Sequence, residues 1–119
     1  MSITFPITRK RQKPAKVSRD VERGVALLDE KRPGWENEID LTNLRMASFQ
    51  SCILGQLYKS HIFPYTGYFE GCNDLGISGA DGSEYGFDLP EKFKGKETSW
   101  EQLDQEWRDL IIERRMDQK

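Results

Sequence analysis

The sequence predicts a mainly α-helical single domain, a small helical bundle behind an extended basic N-terminal arm. Three observations carry this reading. Val21, Val25 and Leu28 recur at i, i+4 and i+7, one face of a helix. Phe49, Ile53 and Leu57 repeat every four residues further on. Trp100, Leu103, Trp107, Leu110 and Ile111 form a third stripe at helical spacing. A chain of 119 residues fits one domain. It would bury about 65% of its unfolded surface, enough for a modest core without staples.

The elements follow in chain order. Residues 1–17 form the arm, and residues 18–119 the helical domain. The arm holds Pro6 and Pro14 and shows no sustained period, so it reads as extended and flexible in isolation. The first helix spans Arg19 to Lys31 with Ser18 as its N-cap, and Pro33-Gly34 stops it. Trp35 follows the stop and packs back on the core. Ile39, Leu41 and Leu44 are the apolar points of a short helical or turn segment.

A second main helix is expected from about Met46 to Lys59. Its apolar residues cover most of the circumference, the mark of a well-buried helix. Gly55 within it costs up to about 1 kcal/mol relative to Ala, a cost tolerated where another helix approaches closely. Pro64 ends this region. A shorter helix over 65–74 follows, with Tyr68, Phe69, Cys72 and Leu75 as its inner face and Gly76 as its C′ residue. Ser78 to Ser83 reads as a flexible surface loop. Asp81-Gly82 allows a short hairpin near residues 77–87, between Ile77 and Phe87. In the last helix, Thr98 with Glu101 and Ser99 with Gln102 each complete a capping box. Asp104 and Arg108 lie one turn apart and can pair. Arg114 and Arg115 suit the negative end of the helix dipole.

The core expected from these stripes contains Val25, Leu28, Phe49, Ile53, Leu57, Leu103 and Trp107. The two cysteines, Cys52 and Cys72, read as buried free thiols. No run reaches the roughly 18 apolar residues of a membrane span. The basic N-terminus lacks the apolar stretch of a signal peptide, so a cytoplasmic location is expected, where disulfides are rare.

Chemistry-bearing motifs are scarce. No phosphate loop, zinc spacing or G-x-G-x-x-G occurs. The single His61 lies nine residues from Cys52, without a third group to complete a nucleophilic site. Asp74, Asp81, Glu84 and Asp88 do not follow the calcium-loop spacing. No cofactor, no metal and no catalytic residue are therefore expected, and the enzyme class is disfavoured. Charge is unevenly spread. Residues 1–20 hold Arg9, Lys10, Arg11, Lys13, Lys16 and Arg19 against Asp20, a local +5, which leaves −7 for the rest of a chain with net charge −2. Arg9, Lys10, Arg11, Lys13 and Lys16 are the candidate contacts to a nucleic acid or a protein partner. A short basic cluster can bind phosphates by counterion release. It can equally be a solubilising tail on an acidic body.

A spaced pattern runs through the chain. It comprises Leu27-Leu28-Asp29, Pro33-Gly34-Trp35, Ile39-Asp40-Leu41, Leu44, Met46, Cys52 and Leu54-Gly55-Gln56-Leu57-Tyr58. Gly71, Leu75-Gly76-Ile77, Gly86-Phe87-Asp88, Trp107 and Arg114-Arg115 continue it. The pattern resembles a family of small uncharacterised proteins of actinobacteria and their phages, over roughly residues 21–115. Similar proteins continue with small residues after the Tyr, where this chain has Lys59-Ser60-His61. The resemblance implies no activity and no site residues. Two functions are expected. One is a small non-enzymatic accessory protein, phage-derived, docking on a host or phage protein, with interference with a host enzyme or defence system as one use. The alternative is a nucleic-acid-associated protein that binds phosphate through the arm.

Overall fold

Four α-helices and three 3-10 turns follow one another among the described residues, and no strand occurs there. The computed structural model describes residues 15–59 and 66–118, with the side chains of residues 15–18 and 97 outside that description. The helices are α1 (Ala15–Lys31), α2 (Ile53–Tyr58), α3 (Gly67–Leu75) and α4 (Glu97–Asp117). The mainly α architecture is as the periodicity predicts.

Helix α1 begins three residues before Ser18, so Ser18 lies inside the helix and is not its N-cap. Ala15 and Lys16 are strong helix formers behind Pro14, and they extend the helix toward the proline. Its inner stripe is buried as expected, with Val21, Val25 and Leu28 in the core. After Lys31 the chain turns. Gly34 takes φ 85° ahead of the Trp35–Asn37 3-10 turn, and Trp35 is fully buried.

The expected 46–59 helix is mostly not a helix. Only Ile53–Tyr58 is helical, and residues 46–52 form successive turns. The reason lies in Ser48. Its Oγ accepts from the backbone N–H groups of Gln50 at 3.3 Å and Ser51 at 3.2 Å, a local turn that competes with helix formation. Cys52 then becomes the N-cap of α2, its sulfur accepting from Gly55 N–H at 3.2 Å. Phe49 is thereby carried out of the predicted stripe. It is 53% exposed, and the expectation that it lies in the core is wrong. Ile53, Leu54 and Leu57 are buried.

Helices α2 and α3 form the tightest pair. A Cβ at Gly67 would stand 2.9 Å from Gly55 Cα, closer than carbon atoms tolerate. The two backbones therefore touch at Gly67, whereas a Cβ at Gly55 would collide with Phe49 O and Gln50 of the preceding turn, so the expected helix approach is not what requires glycine at 55. Helix α3 ends at Leu75, and Gly76 at φ 81° supplies the left-handed C-cap expected of it. Tyr68, Cys72 and Leu75 face inward, but Phe69 does not. It sits one residue, about 100°, around the helix from Tyr68.

The expected loop and hairpin at 77–87 is instead a 3-10 segment, Gly79–Tyr85. Ser78 caps it, its Oγ accepting from Asp81 N–H at 3.2 Å. Gly86 N–H bonds Ser83 O, and Phe87 N–H bonds Gly82 O. Successive short-range bonds satisfy this stretch, so it needs no strand partner. The segment packs between α1 and α3.

Helix α4 starts at Glu97, with Lys96 at the N-cap position and no side-chain cap. The capping boxes at Thr98 and Ser99 are therefore not used. The Glu91–Phe93 turn leads directly into the helix through Lys96 N–H to Phe93 O and Ser99 N–H to Lys96 O. Leu103, Trp107 and Ile111 are fully buried, while Trp100 and Leu110 pack at the margin. Helices α1 and α4 run in the same direction. Gly24 lies against Trp107, and further along Asp29 meets Arg114.

Trp107 is the central side chain. It stacks on Phe87 at 5.7 Å and meets Trp35 edge-on at 5.8 Å. Trp107→Ala is expected to cost about 3–5 kcal/mol in urea unfolding. Phe49→Ala should cost less than about 1 kcal/mol, in keeping with its exposure.

Candidate docking surface

Two exposed phenylalanines define the surface. Phe49 comes from the turns before α2 and Phe69 from the first half of α3, and they are 53% and 51% exposed. Their ring centroids lie 5.2 Å apart. Tyr68 supports both from beneath, 5.6 Å from Phe49 and 5.1 Å from Phe69. It is itself buried and donates its hydroxyl hydrogen to Gly79 O at 2.9 Å. A fixed aromatic ring thus holds two exposed ones in a set arrangement. Sequence reasoning missed this surface because it placed both phenylalanines inside. The signal that would have found it is Ser48, whose hydroxyl can accept from the backbone N–H groups two and three residues on and so favour a turn over a helix.

Helix α4 forms a polar latch on another side of the molecule. Asp104 Oδ1 accepts from Met46 N–H at 2.7 Å. Arg108 donates to Leu41 O at 3.3 Å and Leu44 O at 3.1 Å. The expected Asp104–Arg108 pairing is replaced by these two grips on one loop. Arg115 donates to Glu36 O at 2.9 Å and to Ile39 O. Arg114 pairs with Asp29 at 2.7 Å, and Asp29 also accepts from the Trp35 indole at 2.9 Å. Gln118 donates to the buried Glu36 carboxylate at 2.6 Å. Arg114 and Arg115 therefore hold the fold together and are committed to internal partners rather than to an external anion. Burial raises the Asp104 pKa, against the lowering effects of the Met46 N–H and of the Arg108 and Arg45 charges.

Cys52 and Cys72 are buried free thiols. Burial pushes the Cys52 thiol up to about 11, and it raises Cys72 as well. Cys52 is thus a capping group with little thiolate at neutral pH. His61 lies outside the described residues. Of the acids considered for calcium, Asp74 accepts from Tyr58 OH at 2.9 Å and Asp88 pairs with Lys94 at 3.1 Å. Among the described residues no three His, Cys, Asp or Glu side chains converge on a metal position. Arg9, Lys10, Arg11 and Lys13 lie outside the described residues. Lys16 falls in the first turn of α1, with its side chain outside the description. No helix of the described residues is long and apolar enough to cross a membrane. No protein-family model, curated protein or solved structure matches the chain.

Two outcomes test these assignments. Both thiols should alkylate slowly at pH 8 in the native protein and quickly in the unfolded chain, since reaction needs the thiolate. Asp104→Asn keeps an oxygen acceptor for Met46 N–H without burying a charge. Because the folded-state pKa of Asp104 is raised, the stability it contributes is present at low pH and lost as pH rises through that value. The variant should therefore melt at least as high as the parent at pH 7, and the difference should vanish near the ordinary carboxylate pKa of about 3.9. Thermal melts at the two pH values check this.

Proposed function

We propose that the chain is a small non-enzymatic binding protein of the cytoplasm that docks on another protein through a surface centred on Phe49 and Phe69. The observation that carries this reading is the pair of half-exposed rings held 5.2 Å apart over the buried Tyr68. Exposed apolar groups are ordinary when scattered, but adjacent ones mark interaction sites. Aromatic side chains are enriched at the buried centres of protein interfaces, where a few anchors carry most of the affinity. Tyr68 reduces the ordering cost of binding by fixing both rings in advance. The resemblance to phage and actinobacterial proteins supports a host or phage protein as the partner, with interference with a host enzyme or defence system as the use.

The test begins with affinity capture of the partner from host cells, followed by titration with the purified partner. Phe49→Ala with Phe69→Ala should weaken binding by about 30-fold or more, the loss typical of an anchor pair. The melting temperature should barely move. A different result would favour the nucleic-acid reading. In that case the double variant binds as the parent does, and duplex DNA binds with a log–log salt slope of about −0.9 per phosphate neutralised. Deleting residues 1–14 would then abolish that binding.

A further inference from the structure

Two apolar patches are exposed among the described residues, and their borders differ. On α4, Ile112 and Met116 are exposed one turn apart. Glu113 and Asp117 follow them directly, and both are exposed. Phe49 and Phe69 are exposed to a similar extent, but the described residues around them carry little charge. Ala47, Ser48 and Gln50 flank Phe49. Thr66, Cys72 and Asn73 lie within about one turn of Phe69 on α3. The Phe69 ring also rests against Gly79, where an added Cβ would stand 3.1 Å from Cδ1. Glu70 is the one charged residue among these neighbours, and its carboxylate accepts from the Thr66 hydroxyl.

This contrast decides which patch can face a copy of itself. A twofold contact sets the same patch of two copies face to face. At the α4 patch it would bring Glu113 and Asp117 of one copy toward the same acids of the other, and like charges across an interface are unfavourable. At the Phe49–Phe69 patch it sets rings against rings with little charge nearby. Aromatic rings complement one another in offset or edge-on contact. Size sets the strength. Two half-exposed Phe rings offer roughly 200 Å² per copy, taking about 150–250 Å² for a fully buried ring. A stable interface buries about 800 Å² per partner. The contact is therefore weak and reversible.

We infer that the Phe49–Phe69 surface of the free protein is covered by the same surface of a second copy, in a weak twofold dimer. The inference rests on the docking role of that surface and adds its regulation, since a partner must displace one copy to reach the rings. Self-pairing keeps the rings out of water at high protein concentration and releases them on dilution or to a tighter partner. Residues 21–119 carry −7, the net −2 less the +5 of residues 1–20. The two bodies repel across the contact, so salt strengthens the dimer by screening. A contact between the basic arm of one copy and the acidic body of another would weaken with salt instead.

The experiment is sedimentation equilibrium of the full chain from about 10 μM to about 1 mM, a range that covers weak association. Amide NMR shifts are followed over the same dilution. The mass should rise toward that of two chains and no further, and added salt should not reduce it. The shifts should move at residues 47–50, 66–73 and 79 and stay fixed along α4. Phe49→Ala with Phe69→Ala should raise the dissociation constant about tenfold or more. Ile112→Ala with Met116→Ala should leave it unchanged. The shifts are read on the unmodified chain, so the test does not depend on either variant folding. A chain that stays monomeric at the highest concentration would overturn the inference. So would a mass that falls with salt, or moving shifts at Ile112 and Met116, which would mark a head-to-tail contact. None of these results touches the docking role, which is judged by the captured partner's affinity for the Phe49→Ala, Phe69→Ala variant. A dimer that forms through the rings while the partner binds that variant as it binds the parent would overturn the docking role alone.

Discussion

The hydrogen bond from the Trp107 indole to Gly86 O, 2.7 Å long and buried, is the interaction on which the remaining structure depends. An indole N–H removed from water must find an acceptor or cost roughly 1–3 kcal/mol. Here the acceptor comes from a chain segment 21 residues away. Meeting that need draws the stretch after the Gly79–Tyr85 turn against α4. Phe87 stacks on the indole from there, and Trp35 closes from another side. Helix α1 seals the assembly at Gly24. A Cβ at that position would stand 3.2 Å from the indole ring and would collide with Tyr85 O. One side chain thus joins four separate parts of the chain, and the missing side chain at Gly24 lets them meet.

Helix α4 serves three environments at once. Its Leu103–Trp107–Ile111 stripe faces the core. Asp104, Arg108 and Arg115 grip the backbone of residues 36–46. Ile112 and Met116 look outward. The arginines satisfy carbonyls in a stretch with little regular structure of its own, which is where buried backbone groups would otherwise go unpaired. Its 21 residues extend over enough turns to serve all three.

Much of this was legible in the sequence, and the exceptions share a cause. Helix α1 and helix α4 could be read because their apolar stripes repeat over several turns. Gly76 could be read because a helix end needs a left-handed residue. Phe49 could not be placed. Phe49, Ile53 and Leu57 mimic a helical stripe, and only the hydroxyl of Ser48 decides for a turn. The Gly79–Tyr85 segment was misread because its glycines suit a loop, a hairpin or a 3-10 turn alike, and the capping by Ser78 selects among them. The roles of Arg108, Arg114 and Arg115 depend on partners 64 to 85 residues away. No local pattern encodes such contacts. The Phe49–Phe69 surface was hidden for the same reason, since it joins two segments whose meeting depends on the Gly55–Gly67 approach.

The grip of α4 on residues 36–46 also constrains the order in which the molecule assembles. Those contacts close loops of 58 to 79 residues, and loop closure must come before such contacts can stabilise anything. Local structure in α1 and α4 can form early on its own periodic sequence. The 36–46 stretch holds short turns of its own, with Asn43 N–H bonded to Asp40 O, Leu44 N–H to Leu41 O and Thr42 N–H to the Asp40 carboxylate, and Gln56 ties Asp40 to α2. What α4 adds to these turns is their placement against the core, so lifting α4 away would free the carbonyls of Leu41, Leu44, Glu36 and Ile39 while leaving the turns' own bonds intact.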